Sequence, residues 1–256
     1  MVYCPSLRTR LIHLVLLAVL PALALILYSA REQQIKDSQD AKREALRLVR
    51  LVAASQQRVL DSTRHLLIAL ARLPEVGGQD GPRCSALFAG LLKEYPLYAN
   101  LGAADAQGEQ FCSARPAAGN VNISDQSYFR RAFQQKDFAI GNYQVGGANG
   151  KASLHLGLPI FADDGSALGV VFAAVDLEFF NQVIGTAKLP DYASIAVYDH
   201  EGTILARHPY DEGLVGRSVP QSGIVKTTLA LGEGVAQTFG LDGKERLYGF
   251  TSIGGE

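Results

Sequence analysis

Hydrophobic positions follow three successive regimes along the chain. Residues 11–30 (LIHLVLLAVLPALALILYSA) are apolar almost throughout, with no Asp, Glu, Lys or Arg between Arg10 and Arg31. Twenty residues of helix rise about 30 Å, the thickness of a bilayer core. A transmembrane helix is predicted over 11–30. Arg8 and Arg10 precede it, which predicts a cytoplasmic stretch over 1–10 and export of residues 31–256. A cleaved signal peptide is the rival reading, but Tyr28 sits poorly at the −3 position of a site ending at Ala30.

The second regime has a period of 3.6 and runs from about Arg31 to Leu73 without Gly or Pro. Ala45, Val49, Val52, Gln56, Val59, Thr63, Leu66 and Leu70 alternate steps of four and three. One long helix over 31–75 follows. Its stripe is broken by Gln56 and Thr63, so a perfect coiled coil is not indicated. The upper half of the stripe is assigned to packing on the chain's own domain. The 31–60 part is assigned to a homodimer seam.

The third regime has a period near 2. Gly77-Gly78 and Gly81-Pro82 break the chain, a short helix is predicted over Ala86–Lys93, and strands follow. Strand pairs recur at a nearly constant spacing. NLGAADAQGEQFCSA (100–114) and SIAVYDHEGTILARH (194–208) are both strand, D-x-x-G turn, strand. NYQVGGANGKASLHLGLPI (142–160) and TFGLDGKERLYGFTSI (238–253) form a second such couple. Two copies of one module are predicted, over 76–187 and 188–256. The first copy adds a further strand, SALGVVFAAVDL. The second stops at SIGGE, where its counterpart is due, and is therefore expected to be incomplete. The fold class is α+β: a long N-terminal helix, then two tandem modules with mainly antiparallel sheets.

Composition narrows the functional classes. Among 256 residues, 24 Lys+Arg against 25 Asp+Glu leave a formal net charge of −1, which gives no electrostatic footprint for nucleic acid. Of three cysteines, Cys4 precedes the predicted span, while Cys84 and Cys112 follow it into an oxidising compartment and are expected to pair. Neither CxxC nor HxxxH is present, so no metal or other cofactor is expected. Neither G-x-S-x-G nor HExxH occurs, and Gly146–Ala152 has the wrong spacing for a P-loop. No enzymatic activity is expected; a membrane-anchored enzyme or scaffold is the alternative.

Candidate site residues come from strand alternation. Ala139, Gly141, Tyr143 and Val145 share one face, and the small residues beside Tyr143 predict free volume. Ser153, His155 and Gly157 form the polar face of the next long strand. Asp176 ends an apolar strand, either as the cap of the next helix or as a ligand contact. In NISDQSYFRRAF (122–133), Ser124 or Asp125 is the expected N-cap and Phe129, Ala132 and Phe133 the core stripe. Tyr128 lies off that stripe, so the segment is predicted to form a lid over Tyr143 and His155.

SDQSYFRRAF, FAIGNYQVG, GKASLHLGLPI and GSALGVVFAAVDL, in that order, resemble the extracytoplasmic Cache family of sensor domains. With both copies, residues 31–256 resemble a double Cache domain with membrane-distal and membrane-proximal halves. The resemblance implies a small-molecule sensor in the bacterial inner membrane that drives a chemoreceptor, histidine kinase or diguanylate cyclase output. It implies a pocket in the distal half. In the amino-acid-binding branch, a lid Arg and aromatic pair hold the ligand carboxylate, and a strand Tyr and strand-end Asp hold its other polar groups. Tyr128, Phe129, Tyr143 and Asp176 match these positions, but Gln126 stands where the Arg is due. Arg131, or its neighbour Arg130, then supplies positive charge for a carboxylate ligand, and His155 makes binding pH-sensitive.

Overall fold

The computed structural model describes residues 7–253 except 116–118, 146–149, 186–188, 191–192 and 212. Helix α1 (Leu7–Ala71) is continuous over 65 residues. The predicted membrane span lies inside it, and many of that stretch's side chains lie outside the described residues. Among the described residues, no helix is long and apolar enough to cross a membrane.

Pro74 opens the short helix α2 (Pro74–Gly77), and α3 follows (Gly81–Glu94). The latter begins five residues before the predicted Ala86. Gly81-Pro82 was expected to break the chain, yet Pro82 occupies the first turn, where a missing N–H costs nothing. Asp80 caps that turn by accepting from the Arg83 N–H.

Strands β1 (Tyr98–Asp105), β2 (Gln110–Ser113), β3 (Ala139–Val145), β4 (Ala152–Phe161) and β5 (Ala167–Asp176) form one antiparallel sheet in the order β2-β1-β5-β4-β3. One face packs on α1: Leu60, Leu67 and Leu70 meet Leu101, Leu156, Val171 and Val175 in the main core. The opposite face is covered by α4 (Ser127–Gln135), whose Tyr128, Phe129 and Ala132 pack with Ala104, Val170 and Phe172. Cys84 of α3 and Cys112 of β2 are joined as a disulfide, with their Cα atoms 5.8 Å apart.

After α5 (Leu177–Gly185) the pattern repeats with β6 (Ile195–Tyr198), β7 (Ile204–His208), α6 (Gly223–Leu231), β8 (Glu233–Phe239) and β9 (Glu245–Thr251). The boundary predicted at 187/188 lies outside the described residues. The likeness of the two D-x-x-G turns extends to individual hydrogen bonds. Asp105 Oδ1 accepts from the Gln107 and Glu109 amides, and Asp199 Oδ1 from those of Glu201 and Thr203. Gly108 and Gly202 both take the left-handed φ such a turn needs, 83° and 79°. Each carbonyl then accepts from a buried apolar residue upstream of the next helix, Ile123 and Val219 respectively. In the second unit β6-β7 and β8-β9 stand as two separate pairs; in the first, β5 lies between the corresponding pairs.

Helix α1 runs along both units. Val52, Gln56, Leu60, Thr63, Leu67 and Leu70 are its buried stripe. Thr63 is partnered by the Tyr98 hydroxyl at 3.0 Å. The lower half of the stripe, assigned by sequence to a dimer partner, instead meets β9. Gly249 comes so close to Ala45 that a Cβ there would sit 2.6 Å from the helix backbone. Arg50 forks onto Glu233 through Nε and Nη2, at 3.1 and 2.5 Å. Residues 36–44 remain exposed.

Candidate functional site

The sheet face under α4 carries the candidate site. Facing residues on paired antiparallel strands share a face. Ser153 pairs with Asp176, His155 with Ala174 and Gly157 with Phe172, which places all six on this side. The β3–β4 register slips between Ile140 and Tyr143: Ala139 pairs with Gly157, but Tyr143 pairs with Leu154 and Gln144 with Ser153. This bulge overturns the alternation drawn from sequence. One extra residue reverses every later side chain on a strand. Tyr143 therefore joins the core on the Leu154 face, toward α1 and the second unit. Gln144 takes the place intended for it.

Tyr128 also differs from expectation. It is buried, at 2% exposure, with its ring stacked on His155 at 5.0 Å and 16° and tilted against Phe172 at 5.6 Å. Gly141 and Gly157 exist for this ring. A Cβ at Gly141 would lie 3.0 Å from Tyr128 Cβ, and one at Gly157 3.0 Å from its carbonyl oxygen. The small residues were expected to leave free volume; Tyr128 fills it. Burial pushes the Tyr128 phenol well up, with Asp125 adding to the effect. It pushes the His155 imidazole down to about 4, so the ring is neutral at physiological pH. Phe129 is buried and stacks on Phe133, 5.8 Å away, within the helix's own core stripe.

Neither Ser124 nor Asp125 caps α4. The helix starts later, with Gln126 at the N-cap and no side-chain cap bond. The preceding residues form a turn of their own: Asn122 Oδ1 accepts from Ser124 N, and Ile123 O from Gln126 N. Gln126 is thereby free of capping and reaches Gln144, whose Nε2 donates to Gln126 Oε1 at 2.5 Å.

Asp176 takes the first of its alternatives, the helix cap, and also pairs with a lysine. Its Oδ1 accepts from Glu178 N at 2.9 Å and so caps α5; its Oδ2 accepts from Lys151 Nζ at 2.6 Å. Asp176 is buried, whereas the Lys151 side chain is 49% exposed. The Asp176 bond raises the Lys151 ammonium above its usual range.

Gln126, Gln144, Ser153, Asp176 and Lys151 thus form a polar row running from the start of α4 across β3, β4 and β5, beside the Tyr128–His155–Phe172 stack. Arg131 does not join this row. Its Nη1 donates to Ile140 O and its Nη2 to Asn142 Oδ1, both at 3.0 Å, and Nη2 also meets His200 of the second unit. Sequence reasoning missed Gln144, Ser153 and Lys151 as members of the row. Ser153 was on the face already identified as polar; the other two depend on the bulge and on the pairing of Lys151 with Asp176.

The architecture is a long helix, a five-stranded antiparallel sheet under a capping helix, and a second set of similar hairpins. The Cache domain family model (dCache_1) matches residues 30–255. The chain belongs to the Cache domain family. Cache domains are sensor modules, which makes this a binding rather than a catalytic chain. The Cache fold is shared with the extracellular domain of a putative histidine kinase, rpHK1S-Z16, at TM-score 0.70 and 20% identity, covering 83% of this chain and 88% of that one. It is shared with the ligand-binding domain of the Pseudomonas aeruginosa chemoreceptor PctB in complex with L-Arg, at TM-score 0.66 and 17% identity, covering 85% and 90%. PctC from the same organism, in complex with GABA, matches at TM-score 0.61 and 19% identity, covering 84% and 95%. No curated protein matches the sequence.

Proposed function

We propose that this Cache domain is the extracytoplasmic sensor of a membrane receptor and binds a small zwitterion at the polar row of its first unit. The observation that carries this reading is the Lys151–Asp176 pair: opposite charges 2.6 Å apart, one largely desolvated, beside a neutral aromatic stack. A ligand bearing both an ammonium and a carboxylate can enter such a pair by exchanging partners. The ammonium goes to Asp176 and the carboxylate to Lys151. Gln126 and Gln144 offer amide donors and acceptors in place of a guanidinium. The complexes of PctB with L-Arg and PctC with GABA support a ligand of this size and charge. Membrane attachment through residues 11–30 is part of the same reading. It is supported by exposed apolar side chains along that part of α1, including Leu17, Leu20, Leu23, Leu25 and Ile26.

The test is a thermal-shift screen of amino acids and ω-amino acids, followed by titration calorimetry. Asp176→Ala and Gln144→Ala should each weaken the ligand found by roughly five- to 150-fold, as expected when a polar group loses its partner. Tyr143→Ala, on the other face, should leave affinity within about threefold. Parent-like binding by Asp176→Ala would remove the row as the site. No hit among zwitterions would remove the ligand class.

A further inference from the structure

The two units touch through a second, unassigned polar cluster. The D-x-x-G turn of the second unit, Asp199–Gly202, abuts β3 and α4 of the first. Arg131 Nη2 lies 2.7 Å from His200 Nε2. Asn142 Nδ2 donates to Glu201 Oε1 at 2.6 Å. Tyr143 N donates to Asp199 Oδ2 at 3.3 Å. A guanidinium has donors only, so His200 Nε2 must be the acceptor, and an imidazole nitrogen accepts only while it carries no proton. The His200 side chain is 47% exposed, so water and protons reach it.

We propose that this cluster is a proton-operated clasp, giving the receptor a second input independent of the ligand row. The charged groups against His200 Nε2 are Arg131 from α4 and Glu201 from its own turn. Uptake of a proton on Nε2 turns the acceptor into a donor and sets two cations against each other. Glu201 Oε1, 3.8 Å from the same nitrogen, then becomes its natural partner. Once Glu201 turns to His200 it leaves Asn142. One proton therefore exchanges two bonds between units for one pair inside the second unit. The long Tyr143–Asp199 bond loses its two neighbours in the cluster and opens more readily. Each arrangement satisfies its own charges, which is what a two-state element requires.

The experiment is amide hydrogen exchange on the full chain at about pH 8 and about pH 5.5. Rates are corrected for the intrinsic pH dependence of exchange. In the parent protein, protection of the Tyr143 amide and of residues 199–203 should fall on the order of fivefold or more at the lower pH, as loss of a single hydrogen bond implies. Protection in β4 and β5 should not change. His200→Gln keeps a neutral acceptor and should hold its protection at both values. Arg131→Gln should show the low protection at both. A parent clasp equally protected at the two pH values would overturn the proposal, and so would a His200→Gln variant that loosens as the parent does.

Discussion

Asp176 divides its two carboxylate oxygens between two partners, the backbone of α5 through Glu178 N and the ammonium of Lys151. The two bonds differ in worth. The ion pair has one half-exposed member and contributes at most about 1 kcal/mol. The cap contributes about 1 kcal/mol by itself, and removing the carboxylate breaks the ion pair as well. Urea unfolding should therefore rank Lys151→Met under about 1 kcal/mol and Asp176→Ala at about 2 kcal/mol or more. Equal costs would mean that the carboxylate does not cap the helix.

His155 predicts an acid-sensitive fold. Its folded pKa of about 4 lies below the ordinary imidazole value of about 6.5, so the unfolded chain binds the proton more tightly. The stability attached to the neutral ring is complete above about pH 6.5 and is lost as pH falls from there toward about 4. The difference amounts to about 3 kcal/mol at most. His155→Phe keeps a ring against Tyr128 and cannot titrate. Unfolding midpoints for the parent should fall between about pH 7 and about pH 4.5 more steeply than for this variant. Parallel curves would show that the folded protein protonates His155 as readily as the unfolded chain does.

The Cys84–Cys112 disulfide closes a separation of 28 residues, for which chain entropy gives about 3–4 kcal/mol. Thiol labelling of the exported, denatured and unreduced protein should modify Cys4 alone, read by mass. The double Cys84→Ser, Cys112→Ser variant should unfold at a clearly lower denaturant concentration. Modification of all three thiols would refute the linkage in the exported protein.

Residues 36–44 of α1 are exposed in the single chain, while the stripe from Ala45 upward is engaged with the second unit. A homodimer seam is therefore predicted below Ala45. Single cysteines placed along 31–44 in membranes should cross-link with a period near about 3.5 residues. A reporter fused near Asp80 should be active outside the cytoplasm. A flat cross-linking profile would count against a dimer through this helix.

The regular elements were readable from sequence because their signals are local. The unbroken period of α1, the D-x-x-G turns and the apolar run of β5 need no knowledge of the rest of the fold. Phe129 and Ala132 were placed correctly on the core stripe of α4. What failed was any inference passing through a break in period. The β3 bulge lies in Gly141-Asn142, with no residue pattern announcing it, and it moved Tyr143 away from the site. Tyr128 was judged by its position on the helix alone. The two glycines across from it, Gly141 and Gly157, held the missing clue, since together they make room for a ring. Arg131 was assigned to a ligand because its competitor, His200, comes from 69 residues further on.

The bulge also decides which β3 side chain the sheet shows to α4. Remove one residue between Ile140 and Tyr143 and the strands pair without a slip, with Tyr143 still opposite Leu154 and Gln144 still opposite Ser153; keep every residue and pair them without a slip, and the phenol turns toward Ser153 and the carboxamide toward α1. The one-residue slip therefore decides whether an amide or an aromatic ring stands in the polar row, with every side chain in the row's other strands untouched. Cache domains with and without this bulge differ in length by one residue here, and an alignment that places that gap elsewhere in the strand would pair residues that face opposite sides of the sheet.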